Sequence, residues 1–494
     1  MGKMMDQQIN EEIYTGVVPA MKKDRIYDAK TITISAAGFG IASWCFVQGG
    51  WVSSLLPFPL ALIVSIIPMV IFGLLMMLCV VIPTKYGVDL WMYQKAVFGY
   101  RFCTILCIVA ILTNWGWYVV NSNVFANATS SLLEMGGIHV TDTALPFLAA
   151  ICALIGYFLA LNGPHVVKYS TFIMVPCLLG VGVVILIKVL TTVNISDLVN
   201  ATPMYTDTYD STKTAFLCMV EAMFGFIFAW YPVLGAMSRI SKTERASYWG
   251  QTFGYVVAMG FFVIIGIVTS TIMGRVGIYS TDPTDYLKTL GNPIWKVLSF
   301  GAIALANITT QTLGCYCLSL ATKIFKPQWN YKKIATFYTA FCILLIFWKG
   351  IMTYYNVFLA ATAIIGAPAT GIILVDYYFI RKRKVSLKSL FKLKGHQAYE
   401  YSKGFNLPAV VSFAAAIACY LLVYDPLNYV VRNSLLMKLT PTGIAFIVAG
   451  GLYFLLCQIP AVRKSVLADR REDEKGVKDE PKMKAKGSGA EVPI

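Results

Sequence analysis

Trp117 and Asn121 stand four residues apart in a long apolar run, so a helix sets an indole face and a carboxamide on one side. An indole stacks on a flat ring in a dry cavity, and an amide donates to a ring carbonyl while accepting from a ring N–H. The pair suits a planar heterocycle; the plainer reading makes Trp117 packing and Asn121 an interhelical hydrogen bond. A second run, Ala306-Asn307-Ile308-Thr309-Thr310, continues to Gln311, Thr312 and Cys315. The Thr309 and Thr310 hydroxyls with the Ala306 carbonyl offer the hard oxygens that sodium prefers, unless those hydroxyls bond back to their own helix. Glu221 is the acid that stands out in an apolar run, because an ionised carboxyl at a helix centre costs ~2.5–3.5 kcal/mol on insertion scales. It suits a proton-coupling group or an anchor for an amine, unless it reaches water at the outer face. Shortly after it, Phe226, Phe228 and Trp230 are candidates to close the second face of an aromatic sandwich.

The elements that position these residues must be membrane helices. Of 494 residues 57% are hydrophobic and 13% charged, a balance that suits a bilayer and not a water-soluble surface. Apolar runs long enough to cross ~30 Å of hydrocarbon predict about twelve spans, at 31–56, 58–83, 102–128, 144–163, 168–192, 214–238, 248–273, 295–322, 334–350, 354–380, 407–424 and 440–460. Three look interrupted: the first by Gly38, Gly40 and Gln48-Gly49-Gly50, the sixth by Gly225, Pro232 and Gly235, the tenth by Gly366-Ala367-Pro368 and Gly371. Breaks five spans apart fit an inverted repeat, although Gly and Pro also serve packing in membrane helices, and the breaks alone leave both readings open. The division that follows is a cytoplasmic tail (1–30), a first five-helix repeat (31–192), a second (193–380), a basic loop with helices 11 and 12 (381–460) and a disordered cytoplasmic tail (461–494).

The formal net charge is +16. With the N-terminus inside, roughly four-fifths of the Lys and Arg fall in the tails and the even-numbered loops, led by the cluster from Arg381 to Lys394. That is a positive-inside bias with both termini cytoplasmic in a multi-pass membrane protein. It points to anionic headgroups of the lipid bilayer and away from nucleic acid. The 12 Cys lie in or beside apolar runs and imply no disulfide framework. No phosphate-binding loop is present, and His139, His165 and His396 are scattered, so neither ATP-driven pumping nor a zinc or haem enzyme has support. The function sits inside the membrane and is not enzymatic.

The segment Pro368-Ala369-Thr370-Gly371-Ile372-Ile373-Leu374-Val375-Asp376-Tyr377-Tyr378-Phe379-Ile380-Arg381 closely resembles the end of span ten in the first nucleobase:cation symporter family, and the resemblance extends over about residues 25 to 460. That family comprises cytosine, purine, uracil, allantoin and hydantoin permeases. The resemblance implies an all-α polytopic protein of the leucine-transporter fold, with an inverted 5+5 repeat, broken helices 1 and 6, and two added C-terminal helices. It implies import of a nucleobase or related planar N-heterocycle, thiamine-type pyrimidines included, by symport with Na+ or H+, with no other cofactor and as a monomer. It places Trp117 on the ring with an amide one turn on, where this chain has Asn121 instead of the usual Gln; Gln48, Phe226, Phe228, Gln311, Cys315 and Glu221 complete the candidate substrate site, Cys315 and Glu221 as departures from the family pattern. Ala306, Thr309 and Thr310 match its span-eight sodium ligands, which meet carbonyls of the span-one break. Cys315 stands where a polar residue, often Asn, is common, and the acid that often precedes Arg239 is missing, with Ala236 there. Asp376, with Arg381 and Lys382 within two turns, reads as structural or gating. A membrane receptor or sensor with the same site, or a symporter of a small amine-bearing solute, are the alternatives.

Overall fold

A computed structural model of the chain describes residues 14, 17–41, 43–289, 291–348, 350, 354–392, 397–428 and 430–479. His396 and Lys394 lie outside the described residues. Among them, eight helices are long and apolar enough to cross a membrane, two bent helix pairs pass the same test as units, and two apolar helices, Leu145–Ala160 and Leu407–Val423, are shorter. In chain order these occupy the twelve expected spans.

The first span is two helices, Ala29–Gly40 and Ser43–Leu55, inclined at 53°. Asp28 caps the start by accepting the Thr31 N–H at 2.8 Å, and the helix closes where Ile41 N–H reaches the Ala37 carbonyl. The bend follows Gly40. Gln48-Gly49-Gly50, expected in the break, is instead helical, and its glycines serve close approach: a Cβ on Gly49 would meet the Val263 carbonyl oxygen of span seven at 2.1 Å. Span six runs as Thr212–Phe228, loosens at Ala229 and Trp230, tightens into a 3-10 turn at Tyr231–Val233 and resumes as Leu234–Ser238. Pro232, which has no N–H to donate, accounts for the change of winding. Span ten is not interrupted at Pro368, because Tyr355–Leu374 is helical throughout. Gly366 and Gly371 let it lie against the Phe228 and Phe446 carbonyls, where a Cβ would come within 2.9 and 2.5 Å. Its irregularity comes later, in a π-turn at Val375–Ile380; span seven has another at Phe253–Ala258.

Span one packs on spans seven and five, and span six packs on spans two and ten. Spans three and eight pack on each other, four on eight, and nine on three. Advancing each index by five, or returning it by five, turns the first set of contacts into the second, which is the pairing an inverted repeat of spans one to five and six to ten produces. Spans eleven and twelve pack on each other and on span ten.

The C-terminal stretch corrects a further expectation. Residues 461–479, within the tail expected to be disordered, lie in helices Pro460–Val466 and Ala468–Asp479. Two acids of that stretch have partners: Asp469 pairs with Arg381 at 3.1 Å and accepts from Tyr399 at 2.8 Å, while Glu472 accepts the Ala398 N–H at 3.0 Å. A charged composition predicts disorder only where the charges find water and nothing else. The N-terminal segment lies on the same face, with Ala20 N–H on the Gly87 carbonyl and Tyr27 bridged to the loop at Ile240 and Lys242.

Candidate functional site

The two breaks meet on span three. Phe39 and Trp44 from the halves of span one, Trp117 and Tyr118 from span three, and Phe226 and Trp230 from span six surround a nearly closed cavity with about 10 Å³ of free space. Their rings meet edge to face: Trp44 and Trp117 at 5.4 Å, Trp44 and Trp230 at 5.4 Å, Phe39 and Trp230 at 5.1 Å, Trp117 and Phe226 at 5.9 Å. Such geometry follows the ring quadrupoles, and none of these pairs is stacked face to face.

Two polar groups serve this aromatic shell. The Trp44 indole N–H is buried with no hydrogen-bond partner among the described residues. Asn114 lines the cavity and donates its amide to the Ala110 carbonyl at 2.8 Å, which leaves its side-chain oxygen for an incoming N–H. Asn114 precedes Trp117 by three residues and shares its helix face. The signal was in the sequence, one turn back from Trp117 instead of one turn on.

Of the expected residues, Trp117, Phe226 and Trp230 line this cavity and the others do not. Asn121 donates to the Asn307 carbonyl of span eight at 2.7 Å, with its side-chain oxygen buried and unpartnered. Gln48 donates to the Met223 sulfur at 3.5 Å. Phe228 turns the other way, toward Phe72 and Phe446. Gln311 and Cys315 share a face of span eight that points to spans four and nine: Gln311 packs over Gly156 and donates to Cys342 at 3.6 Å, and Cys315 lies 3.7 Å from the Thr339 hydroxyl. Gly314 sets that rotation, since Tyr118 lies where any side chain at 314 would be, with ring atoms 1.8 Å from a Cβ. Glu221 lines a separate small cavity, with about 30 Å³ of free space, toward spans ten and eleven. Its carboxylate accepts the Thr442 N–H at 3.0 Å and the Thr442 hydroxyl, at the N-terminus of span twelve, where a helix dipole favours an anion.

On span eight, the Thr309 and Thr310 hydroxyls donate to the Leu305 and Ala306 carbonyls at 3.2 and 3.1 Å. A hydroxyl that donates inward keeps its lone pairs, and span eight packs on both halves of span one. The donor set is oxygen, which fits a hard monovalent cation. Among the described residues no three His, Cys, Asp or Glu gather as a transition-metal site would require.

At the face that carries helix Ala468–Asp479, Asp376 accepts from Tyr453 at 2.7 Å, Tyr93 at 2.6 Å and Arg381 at 2.8 Å. Arg381 is fully buried and also reaches Asp469, the Ala96 carbonyl and the Tyr401 hydroxyl. Nearby, Asp89 caps helix Leu90–Phe98 through the Trp91 N–H at 2.9 Å, beneath Gly235 of span six. Burial pushes its carboxyl up to about 6, against the opposing pull of that N–H and of Arg239.

A family model described as permease for cytosine/purines, uracil, thiamine, allantoin matches residues 17–440. The chain is 28% identical over 235 residues to a purine-uracil permease of Arabidopsis thaliana, covering 44% of this chain and 38% of that protein. It is 30% identical over 187 residues to an allantoin permease of Bacillus subtilis, covering 36% and 37%. A hydantoin permease of Microbacterium maritypicum is 23% identical over 370 residues, covering 69% and 70%. The chain thus spans well under half the length of the first two relatives. In structure it resembles Mhp1, a nucleobase-cation-symport-1 family transporter, in a closed conformation with bromovinylhydantoin bound (TM-score 0.72, 19% identity, 93% of this chain and 98% of that one). It also resembles a Na+-coupled sialic acid symporter in a substrate-bound outward-open state (TM-score 0.60, 13% identity, 91% and 92%). At these identities the likeness shows a shared fold.

Proposed function

The chain belongs to the family of permeases for cytosine/purines, uracil, thiamine and allantoin, and we propose that it is a secondary active transporter importing a nucleobase or a related planar N-heterocycle with sodium or a proton. The observation that carries this reading is the aromatic cavity where the two broken spans meet span three. A flat ring there stacks on Trp117, the Asn114 oxygen accepts a ring N–H, and the Trp44 N–H donates to a ring carbonyl. Each group left unpartnered in the cavity finds its complement on a nucleobase edge, which is how a dry site discriminates.

The amine-bearing solute is the weaker reading, because Glu221 faces another cavity and is engaged by Thr442. Sodium is favoured as the co-substrate by the oxygen set at Ala306, Thr309 and Thr310, on the span that packs on both halves of span one. Ordering of that break by the cation favours ring binding, and rocking of the helix group of spans one, two, six and seven then exposes the site inward. Both termini are cytoplasmic, with the basic residues of the 381–394 loop on that side, and a monomer suffices.

The test is a thermal-shift screen of purified protein against cytosine, uracil, adenine, allantoin and hydantoins, in sodium and in choline. Thr310→Ala is expected to weaken ligand stabilisation in sodium and to leave it unchanged in choline; equal loss in both salts contradicts the sodium site. Binding without ion-driven uptake in proteoliposomes would make the protein a receptor.

A further inference from the structure

The membrane-facing side of spans three, eight and nine carries a second concavity, separate from the central cavity. It is a groove of about 1340 Å³, including the open space at its mouth. Ile108 and Leu112 of span three and Phe337 of span nine form its walls, all exposed and apolar. Trp115 and Tyr338 form its floor, stacked at 5.4 Å, with the Trp115 N–H on the Tyr338 carbonyl. At the mouth are Trp329 and Asn330, in the turn between spans eight and nine, and Lys333, in the first turn of span nine. Lys326 lies over the Trp329 ring at 5.9 Å, Lys332 is the next residue after Tyr331, and no acid occurs from 326 to 333. This mouth is at the face of the chain's termini, since Lys95 donates to the Ile324 carbonyl there.

We propose that this groove is a binding site for one anionic phospholipid of the leaflet on that face, its acyl chain along Ile108, Leu112 and Phe337 and its phosphate at Lys333. The charge pattern selects the occupant. A zwitterionic lipid gains nothing from an unopposed lysine cluster, and a second copy of this chain would bring the same lysines against themselves. Trp329 suits the headgroup layer. The floor touches the central cavity, because Tyr338 packs edge-on against Tyr118, a cavity residue, at 5.7 Å. An acyl chain that holds Trp115 and Tyr338 in place therefore holds the segment of span three that presents Trp117.

Native mass spectrometry of the full chain, with phosphatidylglycerol and phosphatidylcholine offered at equal concentration, tests this. A basic residue near a membrane surface is worth about 1 kcal/mol, or about fivefold. The parent is expected to retain phosphatidylglycerol at least about fivefold over phosphatidylcholine. Lys333→Glu brings that ratio to within about twofold of parity, and Leu112→Trp, which fills the groove from the lipid side, lowers retention of both. Equal retention of the two lipids by the parent overturns the proposal, as does unchanged preference in Lys333→Glu, which assigns the headgroup to the 381–394 loop. A dimer that grows on delipidation and is lost in Leu112→Trp overturns it in favour of a second copy. None of these readouts depends on transport, so failure here is separate from failure of the transporter reading.

Discussion

The central cavity and the cluster around Asp376 are both buried in the same helical bundle, yet they use polar groups in opposite ways. Around Asp376 both carboxylate oxygens have partners, Arg381 ties the end of span ten to helix Leu90–Phe98 and to the C-terminal helix, and Tyr453 brings span twelve onto Asp376. In the cavity the rings touch only by their edges, the Trp44 N–H has no partner among the described residues, and the Asn114 amide N–H is used on its own helix at the Ala110 carbonyl. Satisfied polar networks are rigid, and a broken one leaves a charge in low dielectric. Unsatisfied groups in a dry aromatic pocket are costly until a ligand pairs with them. The contrast teaches where this molecule holds still and where it is built to accept something.

The comparison is broken most severely at Arg381. Arg381→Ala leaves Asp376 and Asp469 buried without their cation, and removal of one partner from a buried pair costs about 3–5 kcal/mol. The expected outcome is loss of the monodisperse peak, or a large fall in thermal stability, in detergent. Asp89 stands between the two extremes, with a single N–H and a more distant Arg239 in support. Its folded pKa of about 6 is above the ordinary carboxylate value, so the folded protein holds this proton more tightly than the unfolded chain. The parent therefore loses stability as pH rises from about 4 to about 6 and levels off above. The stability of Asp89→Asn relative to the parent should rise over that window, by on the order of 3 kcal/mol at most. Melting curves across pH check this; a flat difference would remove Asp89 from the pH response.

The smallest effect separates two amides. Asn114→Ala should weaken heterocycle binding by about 1 kcal/mol, roughly fivefold, with little change in melting temperature. Asn121→Ala should lower the melting temperature and leave affinity nearly unchanged, since its bond is to the Asn307 carbonyl. The reverse pattern would return the amide role to Asn121.

That last pair also marks how far the sequence could be read. The spans were legible because apolar runs of that length have one cheap environment, and Trp117 was legible because an indole beside amides in such a run suits a flat ligand. Helical periodicity gives the face of Trp117, and Asn114 and Asn121 both belong to it. Which of them meets a cavity is decided by the neighbouring span, and Asn307 of span eight takes Asn121. Gln311 and Cys315 were misplaced for the same reason, since the rotation of span eight is set by Tyr118 lying over Gly314, a contact between residues far apart in sequence. Gln48-Gly49-Gly50 and Pro368 looked like breaks because Gly and Pro weaken helices in water; packed against a neighbouring backbone, both stretches stay helical.

The most direct test of the central claim is uptake of a radiolabelled heterocycle, chosen by the thermal-shift screen, into proteoliposomes carrying an inward sodium gradient, for the parent and for Trp117→Ala. The account predicts accumulation above the outside concentration by the parent, abolished when the gradient is collapsed. Trp117→Ala should lose at least about tenfold in apparent affinity, as removal of a stacked aromatic costs roughly 1–3 kcal/mol per base. Uptake that only equilibrates, or a Trp117→Ala variant with the parent's affinity, would contradict it.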